Sequence, residues 1–193
     1  DKIYQRVGIG KETFVTYASG GTFAKYSHEF QTISESGEDE IYFCEKCQVA
    51  VNKEIIDEEK KCPECGLSKD NLAVYKAIEV GNIFKLGTNF STPFELNYLD
   101  KEGKSREVIM GCYGLGPSRV LGTIVEVHHD DRGIIWPEEI APFQAHLLLL
   151  SKDAKVKKVA DELYDDLVEA GVEVLYDDTE DTAGVKFANA DLI

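Results

Sequence analysis

The pattern Cys44-x2-Cys47-x14-Cys62-x2-Cys65 constrains this chain more than any other feature. Two intervening residues let both sulfurs of a pair reach one ion. Two such pairs supply the tetrahedral thiolate set that structural zinc prefers. Cys62-Pro63-Glu64-Cys65-Gly66 is the stronger half, because Pro63 stiffens the turn and Gly66 permits a positive φ after the second ligand. Cys44-Glu45-Lys46-Cys47-Gln48 lacks that glycine. Iron in a rubredoxin-like site is the metal alternative, and free or redox-active thiols are the metal-free one. A four-thiolate site leaves no position for water, so the ion is expected to hold structure rather than perform chemistry. The paired cysteines and the polar run Asp57–Lys61 read as a small metal-tied insert, residues 43–67, on a larger scaffold.

Charge narrows the function classes. With 36 acidic and 21 basic side chains the formal net charge is −15. That argues against a whole-surface electrostatic grip on nucleic acid and leaves room only for a local patch. The densest basic stretch, Lys152, Lys155, Lys157 and Lys158, reads as a solvated helix face. No apolar run reaches bilayer length, the longest being Leu147–Leu150, and Asp1–Tyr4 has no signal-peptide pattern. A cytoplasmic protein without a membrane partner is expected.

Strand-like runs dominate the first two thirds. Thr13–Tyr17 and Ser27–Ile33 carry the β-branched and aromatic residues that suit a pleated surface, with Gly20-Gly21 between them and a polar turn at Ser36–Asp39. Ala77–Leu86 and Phe94–Leu99 are further strand candidates, Lys101–Lys104 a hairpin turn, and Glu107–Met110 a return strand. Ser118–His128 has helical spacing, with Val120, Leu121, Ile124, Val125 and His128 on one face. Pro137 and Pro142 flank a linker beside which Trp136 and Phe143 are expected to pack. Beyond it, Ala145–Leu150 reads as a buried-type strand. Val156–Ala170 is an amphipathic helix with Val159, Leu163 and Leu167 in one stripe, stopped by Gly171, and Val172–Tyr176 is a second strand. The order β-α-β predicts a parallel unit. The chain stops just inside the next helical pattern and is expected to be an internal piece.

Gly111–Arg119 carries the most chemistry. It reads as a strand entering a glycine-rich turn and then a helix, where glycines admit a close ligand and Arg119 sits among the free N–H groups of the first turn. No Gly-Lys-Ser/Thr follows, so it is not a P-loop, and without a βαβ context a dinucleotide fold is not expected. On pattern alone a purely structural turn competes evenly with a binding one.

The longer strings add a resemblance. Glu79–Thr88 is similar to the strand preceding motif 3 in bacterial-type prolyl-tRNA synthetases, and Met110–Arg119 resembles motif 3 itself. Gly133–Pro137 and Ile140–Phe143 resemble the join to the anticodon-binding domain. Gly20-Gly21, Ser27-His28-Glu29-Phe30 and Gly37-Glu38-Asp39 upstream, and Gly184–Ala188 with Ala190–Ile193 downstream, are similar to the same family. The resemblance covers nearly the whole chain in the right order.

It implies an α+β fold. A partial class II catalytic core on an antiparallel sheet would span residues 1–138, with motif 3 at 110–119, followed by a truncated α/β anticodon-binding domain at 139–193. It implies ATP-dependent activation of proline and transfer to tRNA(Pro), with Mg²⁺ and structural Zn²⁺, in a protein that is a homodimer at full length. Carried over by position, Glu79, Asn82, Gly114, Gly116 and Arg119 would meet ATP, with Arg119 as the catalytic arginine and Glu79 a magnesium ligand. Cys112, Phe84, His28 and Glu29 would lie at the proline pocket. His28 as an ordinary core histidine, and Cys112 as a small buried apolar residue, are the plainer readings. Motifs 1 and 2 are missing, so the piece is expected to be inactive alone. The short cysteine-bearing connection stands where many members carry an editing domain. Asn82 replaces a common histidine, and Pro117 a frequent valine. A stand-alone zinc-containing binding protein, or another class II synthetase such as a threonyl or histidyl enzyme, are the competing readings.

Overall fold

The computed structural model describes residues 2–192, so Ile193, the last residue of the Ala190–Ile193 string, lies outside the described residues. The chain divides between Val127 and His128 into two compact units.

The first unit begins with helix α1 (Lys2–Arg6) and strands β1 (Thr13–Ser19), β2 (Tyr26–Ile33), β3 (Asp39–Cys44) and β4 (Val49–Asn52). Helix α2 (Lys53–Glu59) follows, then the long strand β5 (Ala73–Gly87), a small hairpin of β6 (Asn97–Leu99) and β7 (Ser105–Glu107), strand β8 (Met110–Leu115) and helix α3 (Pro117–Val127). β5 is long enough to take two neighbours on one edge: β3 pairs with Ala73–Ala77 and β8 with Gly81–Gly87. Its other edge pairs with β2. Because β2, β1, β4, β3 and β5 also pair in that order, the five close into a ring, with β8 added outside it. All pairings are antiparallel except β1 with β4.

Strand alternation sorts the core into two layers. Ile41, Phe43, Ala50 and Ala77 cluster on one face with Phe14 and Ile33. Cys44 and Val51 point to the other face, where Ile55 and Ile56 of α2, Cys62 and Leu72 cover them. Ile41 and Ile56 are fully buried, each stabilising the fold by about 1.5–3 kcal/mol. Asn52 starts α2 as its N-cap, accepting from the Glu54 N–H at 3.1 Å. The cysteine region is therefore less separate than the insert expected: β3 and β4, which flank the first pair, are members of the ring.

The second unit holds strand β9 (Ala145–Leu148), helix α4 (Ala154–Glu169), strand β10 (Val174–Asp177) and helix α5 (Ala183–Ala190). β9 and β10 pair in parallel, as the β-α-β order predicts. Asp153 caps α4 by accepting from the Lys155 N–H, and Gly171, at φ +82°, ends the turn after it.

Several local expectations change. Gly111–Leu115 is not a turn but continues the sheet strand from Met110, and only Gly116 remains to turn the chain into α3. The strand expected at Phe94–Leu99 shortens to Asn97–Leu99, and Glu107–Met110 breaks at Val108-Ile109, where the hairpin hands over to β8. The buried side of α3 is Val120, Thr123 and Ile124, while Leu121 is 51% exposed. β9 and β10 are only half-buried, Val159 and Leu163 of α4 are exposed, and Tyr164 of α4 stacks on Tyr176 of β10. Phe143 is also exposed.

Candidate active-site cleft and metal centre

The five residues expected at a nucleotide converge on the junction of β5, β8 and α3. Register sets Asn82 opposite Gly114. A Cβ on residue 114 would stand 2.5 Å from Asn82 Oδ1, so glycine is what admits that amide. Asn82 Nδ2 donates to Glu79 Oε1 at 3.2 Å. From the first turn of α3, Arg119 Nη1 donates to the Glu79 carbonyl at 3.1 Å and reaches Oε2 at 3.4 Å. Glu79, Asn82, Gly114, Gly116 and Arg119 all line one cavity of about 270 Å³. A second cavity of about 420 Å³ opens on the other side of Glu79 and Arg119 and is walled by Glu38, Asp39 and Glu126. The cleft thus offers a planar cation beside carboxylates, at a helix start with free N–H groups. That set can hold a phosphate chain and a divalent cation together.

The residues expected at the proline pocket do not all share a face. Glu29 lies opposite Asn82, and Phe84 opposite Cys112, so Glu29, Asn82, Phe84, Cys112 and Gly114 belong to one face of the sheet. His28 pairs with Ile83 and Tyr17 and belongs to the opposite face. There its ring packs 4.8 Å from that of Tyr17, and burial followed by the Lys85 charge lowers its pKa below the ordinary histidine value. Cys112 is exposed rather than buried. Glu29 accepts from Gln31 Nε2 at 2.9 Å and from Asn52 Nδ2 at 3.2 Å. Burial raises its pKa, and the charges of Glu79 and Asp39 add to the rise against those two hydrogen bonds.

At the other end of β3, the four sulfurs of Cys44, Cys47, Cys62 and Cys65 lie within 4.8 Å of one another. Cys44 and Cys65 are 3.7 Å apart, close to the ~3.8 Å edge of a tetrahedron with ~2.3 Å zinc–sulfur bonds. Both pairs sit in matching turns. Gln48 N–H bonds the Cys44 carbonyl at 2.8 Å, and Gly66 N–H the Cys62 carbonyl at 2.9 Å. Gly66 takes φ +74°, and Gln48 adopts φ +56° without being glycine. The Leu67 backbone N–H helps hold the Cys65 thiol down to about 7, whereas the neighbouring Cys65 sulfur drives Cys47 up to about 12. Four crowded sulfurs cannot all ionise unaided, and a thiophilic cation resolves the conflict. The donor set fits a closed four-sulfur metal site.

Comparison with known proteins places this geometry. The family model described as the tRNA synthetase class II core domain (G, H, P, S and T) matches residues 1–128. The chain belongs to the class II tRNA synthetase family. An anticodon binding domain matches residues 140–193. The whole chain is 39% identical, over 205 residues, to "Proline--tRNA ligase" of Ehrlichia chaffeensis, of which it spans 47%. It is 50% identical over 126 residues to the Shouchella clausii protein of the same name, covering 65% of this chain and 22% of that one. For Aquifex aeolicus the figures are 47% over 133 residues, covering 68% of this chain and 23% of the relative. The chain thus spans less than half the length of these relatives. A solved prolyl-tRNA synthetase from Cryptosporidium parvum, complexed with halofuginone and AMPPNP, shares the fold at a TM-score of 0.61. Its identity is 19%, and the match covers 92% of this chain and 30% of that one.

Within this class II chain, three side chains of the site escaped the sequence reading. Gln31, fully buried, donates to both Glu29 Oε2 and Asp39 Oδ2, the latter at 2.5 Å, and Asn52 joins from β4. The signal available was alternation: Gln31 stands two residues from Glu29 in one strand and so shares its face. Asp39 and Asn52 gave no such signal, since they arrive from other strands. Among the described residues, no helix is long and apolar enough to cross a membrane.

Proposed function

We propose that this chain is part of a proline–tRNA ligase. The catalytic part would be residues 1–138, with a metal-tied segment at 43–67, and residues 139–193 would be a partial anticodon-binding domain. In this reading a proline carboxylate oxygen attacks the α-phosphorus of ATP and pyrophosphate leaves. The 3′-terminal hydroxyl of tRNA(Pro) then attacks the activated carbonyl and AMP leaves. The observation that carries the reading is the bridge from Arg119 to Glu79 across a cavity also lined by Asn82, Gly114 and Gly116. Arg119 would stabilise charge developing on the transferring phosphoryl group, a role of fixed donors held in place before reaction. Glu79 would be a ligand for Mg²⁺. Glu29, Phe84 and Cys112 would face proline, with His28 acting from the opposite sheet face on the strand that carries Glu29. Zn²⁺ would be the ion of the four cysteines, with a structural role. The working protein would be a cytoplasmic homodimer, and this chain alone would be inactive.

Amino-acid-dependent ATP–pyrophosphate exchange by the full-length protein tests the reading. Proline should be the amino acid that drives exchange, and Arg119→Lys should lower the rate by about 100-fold with circular dichroism unchanged. Exchange driven instead by threonine or histidine would move the chain to another class II specificity. No exchange with any amino acid would favour a binding role.

A further inference from the structure

A side chain of the second cysteine turn reaches across to the sheet. Glu64 lies between two of the sulfurs, in the turn Cys62–Cys65, and its Oε1 accepts the Tyr17 hydroxyl of β1. Tyr17 is not an isolated donor in this contact. Its ring meets Tyr26 edge-on at 5.6 Å and His28 at 4.8 Å, and it packs with Tyr26 against the layer formed by Cys44, Cys62 and α2. Tyr17 and His28 are also direct cross-strand partners. A turn with both sulfurs bound to an ion has little freedom, so a carboxylate between them is delivered at a fixed place. Proline at the intervening position reduces that freedom further.

We propose that Glu64 is a positioning residue through which the loaded metal site orders Tyr17 and, across the strand pair, His28. The structural half of this proposal stands alone. Its link to substrate rests on the proline-activating reading, in which His28 belongs to the substrate region. The metal-bearing turn is then a brace for the sheet face behind the cleft as well as a local staple.

The test uses full-length, zinc-loaded protein and the variants Glu64→Ala, Glu64→Gln and Tyr17→Phe. Zinc content is read by release to a chromophoric chelator, and order by hydrogen exchange of peptides covering β1 and β2. Glu64→Ala and Tyr17→Phe should keep their zinc yet exchange faster across β1 and β2. Each should raise the KM for proline by about two- to tenfold with kcat little changed, the size of one lost hydrogen bond. Glu64→Gln, which retains an acceptor, should restore both readouts. The double variant Tyr17→Phe/Glu64→Ala should be no worse than either single one. Unchanged exchange in β1 and β2 with zinc retained, or additive effects in the double variant, would overturn the proposal. Should Glu64→Ala lose zinc, Tyr17→Phe decides, because that residue is remote in sequence from every cysteine. A wild-type protein without proline-dependent exchange would sink the functional reading, while hydrogen exchange would still decide the coupling.

Discussion

Gly114 and Glu29 show how single residues shape the cleft. A methyl group at 114 would force the Asn82 amide aside, since the clash with Oδ1 is at 2.5 Å, and would break its donation to Glu79. Gly114→Ala should therefore lower ATP–pyrophosphate exchange by about tenfold or more while thermal unfolding shifts little, because misplacement rather than unfolding is the injury. Retained exchange would show that the Asn82–Glu79 contact is dispensable. Glu29 gives a pH signature. Its folded pKa is raised from 4.5, first by burial, so the folded state holds the proton more tightly than the unfolded chain does. Its contribution to stability is greatest at low pH and declines as pH rises from about 4.5 through the folded value. Glu29→Gln should flatten the fall in urea midpoint over that window, and an unaltered slope would remove Glu29 as its cause. Gln31 and Asn52 donate to the carboxylate, and Glu79 and Asp39 repel it, so all four neighbours shape the titration.

At the scale of elements, the glycine-rich string teaches the most. Read locally, Gly111, Gly114 and Gly116 suggest a turn, yet all but the last lie in a strand because β5 offers an edge to pair with. Helix α5 shows the converse, an element held by one polar side chain. Lys186 is 1% exposed, donates to the Leu149 and Asp177 carbonyls at 2.9 and 3.0 Å, and pairs with Asp177 Oδ1 at 3.1 Å. It ties α5 to the carboxyl ends of both parallel strands. Asp177 is kept below the ordinary aspartate range, chiefly by the Thr179 hydroxyl, so its charge would persist without the lysine. Lys186→Met should cost about 3 kcal/mol, read as earlier urea unfolding of residues 145–190. A cost near zero would mean that water replaces the ammonium without loss.

For the whole molecule, the four-cysteine cluster and the ring of strands are long-range closures. Zinc removal from the full-length protein by a strong chelator should speed hydrogen exchange in α2 and in the turns at 44–47 and 62–65, where Cys44, Cys62, Ile55 and Ile56 pack together. Exchange in β9, α4 and β10 should not change, since no ligand lies there. Equal acceleration everywhere would show that the ion supports the entire fold. Features that need only near neighbours are legible along the chain. The two cysteine pairs, the helical spacing of α3 and α4, the stop at Gly171 and the β-α-β order all follow from contacts within a few residues, as did the motif strings that marked the family. What depends on register between distant strands was settled by the tertiary fold: the closure of β2 on β5, the Gln31 link to Asp39, and the bond from Tyr17 to Glu64. Side-chain facing along a strand is local, but which strand lies alongside is settled only when the ring closes and buries its two apolar layers, a choice made by the summed packing of residues far apart in the chain.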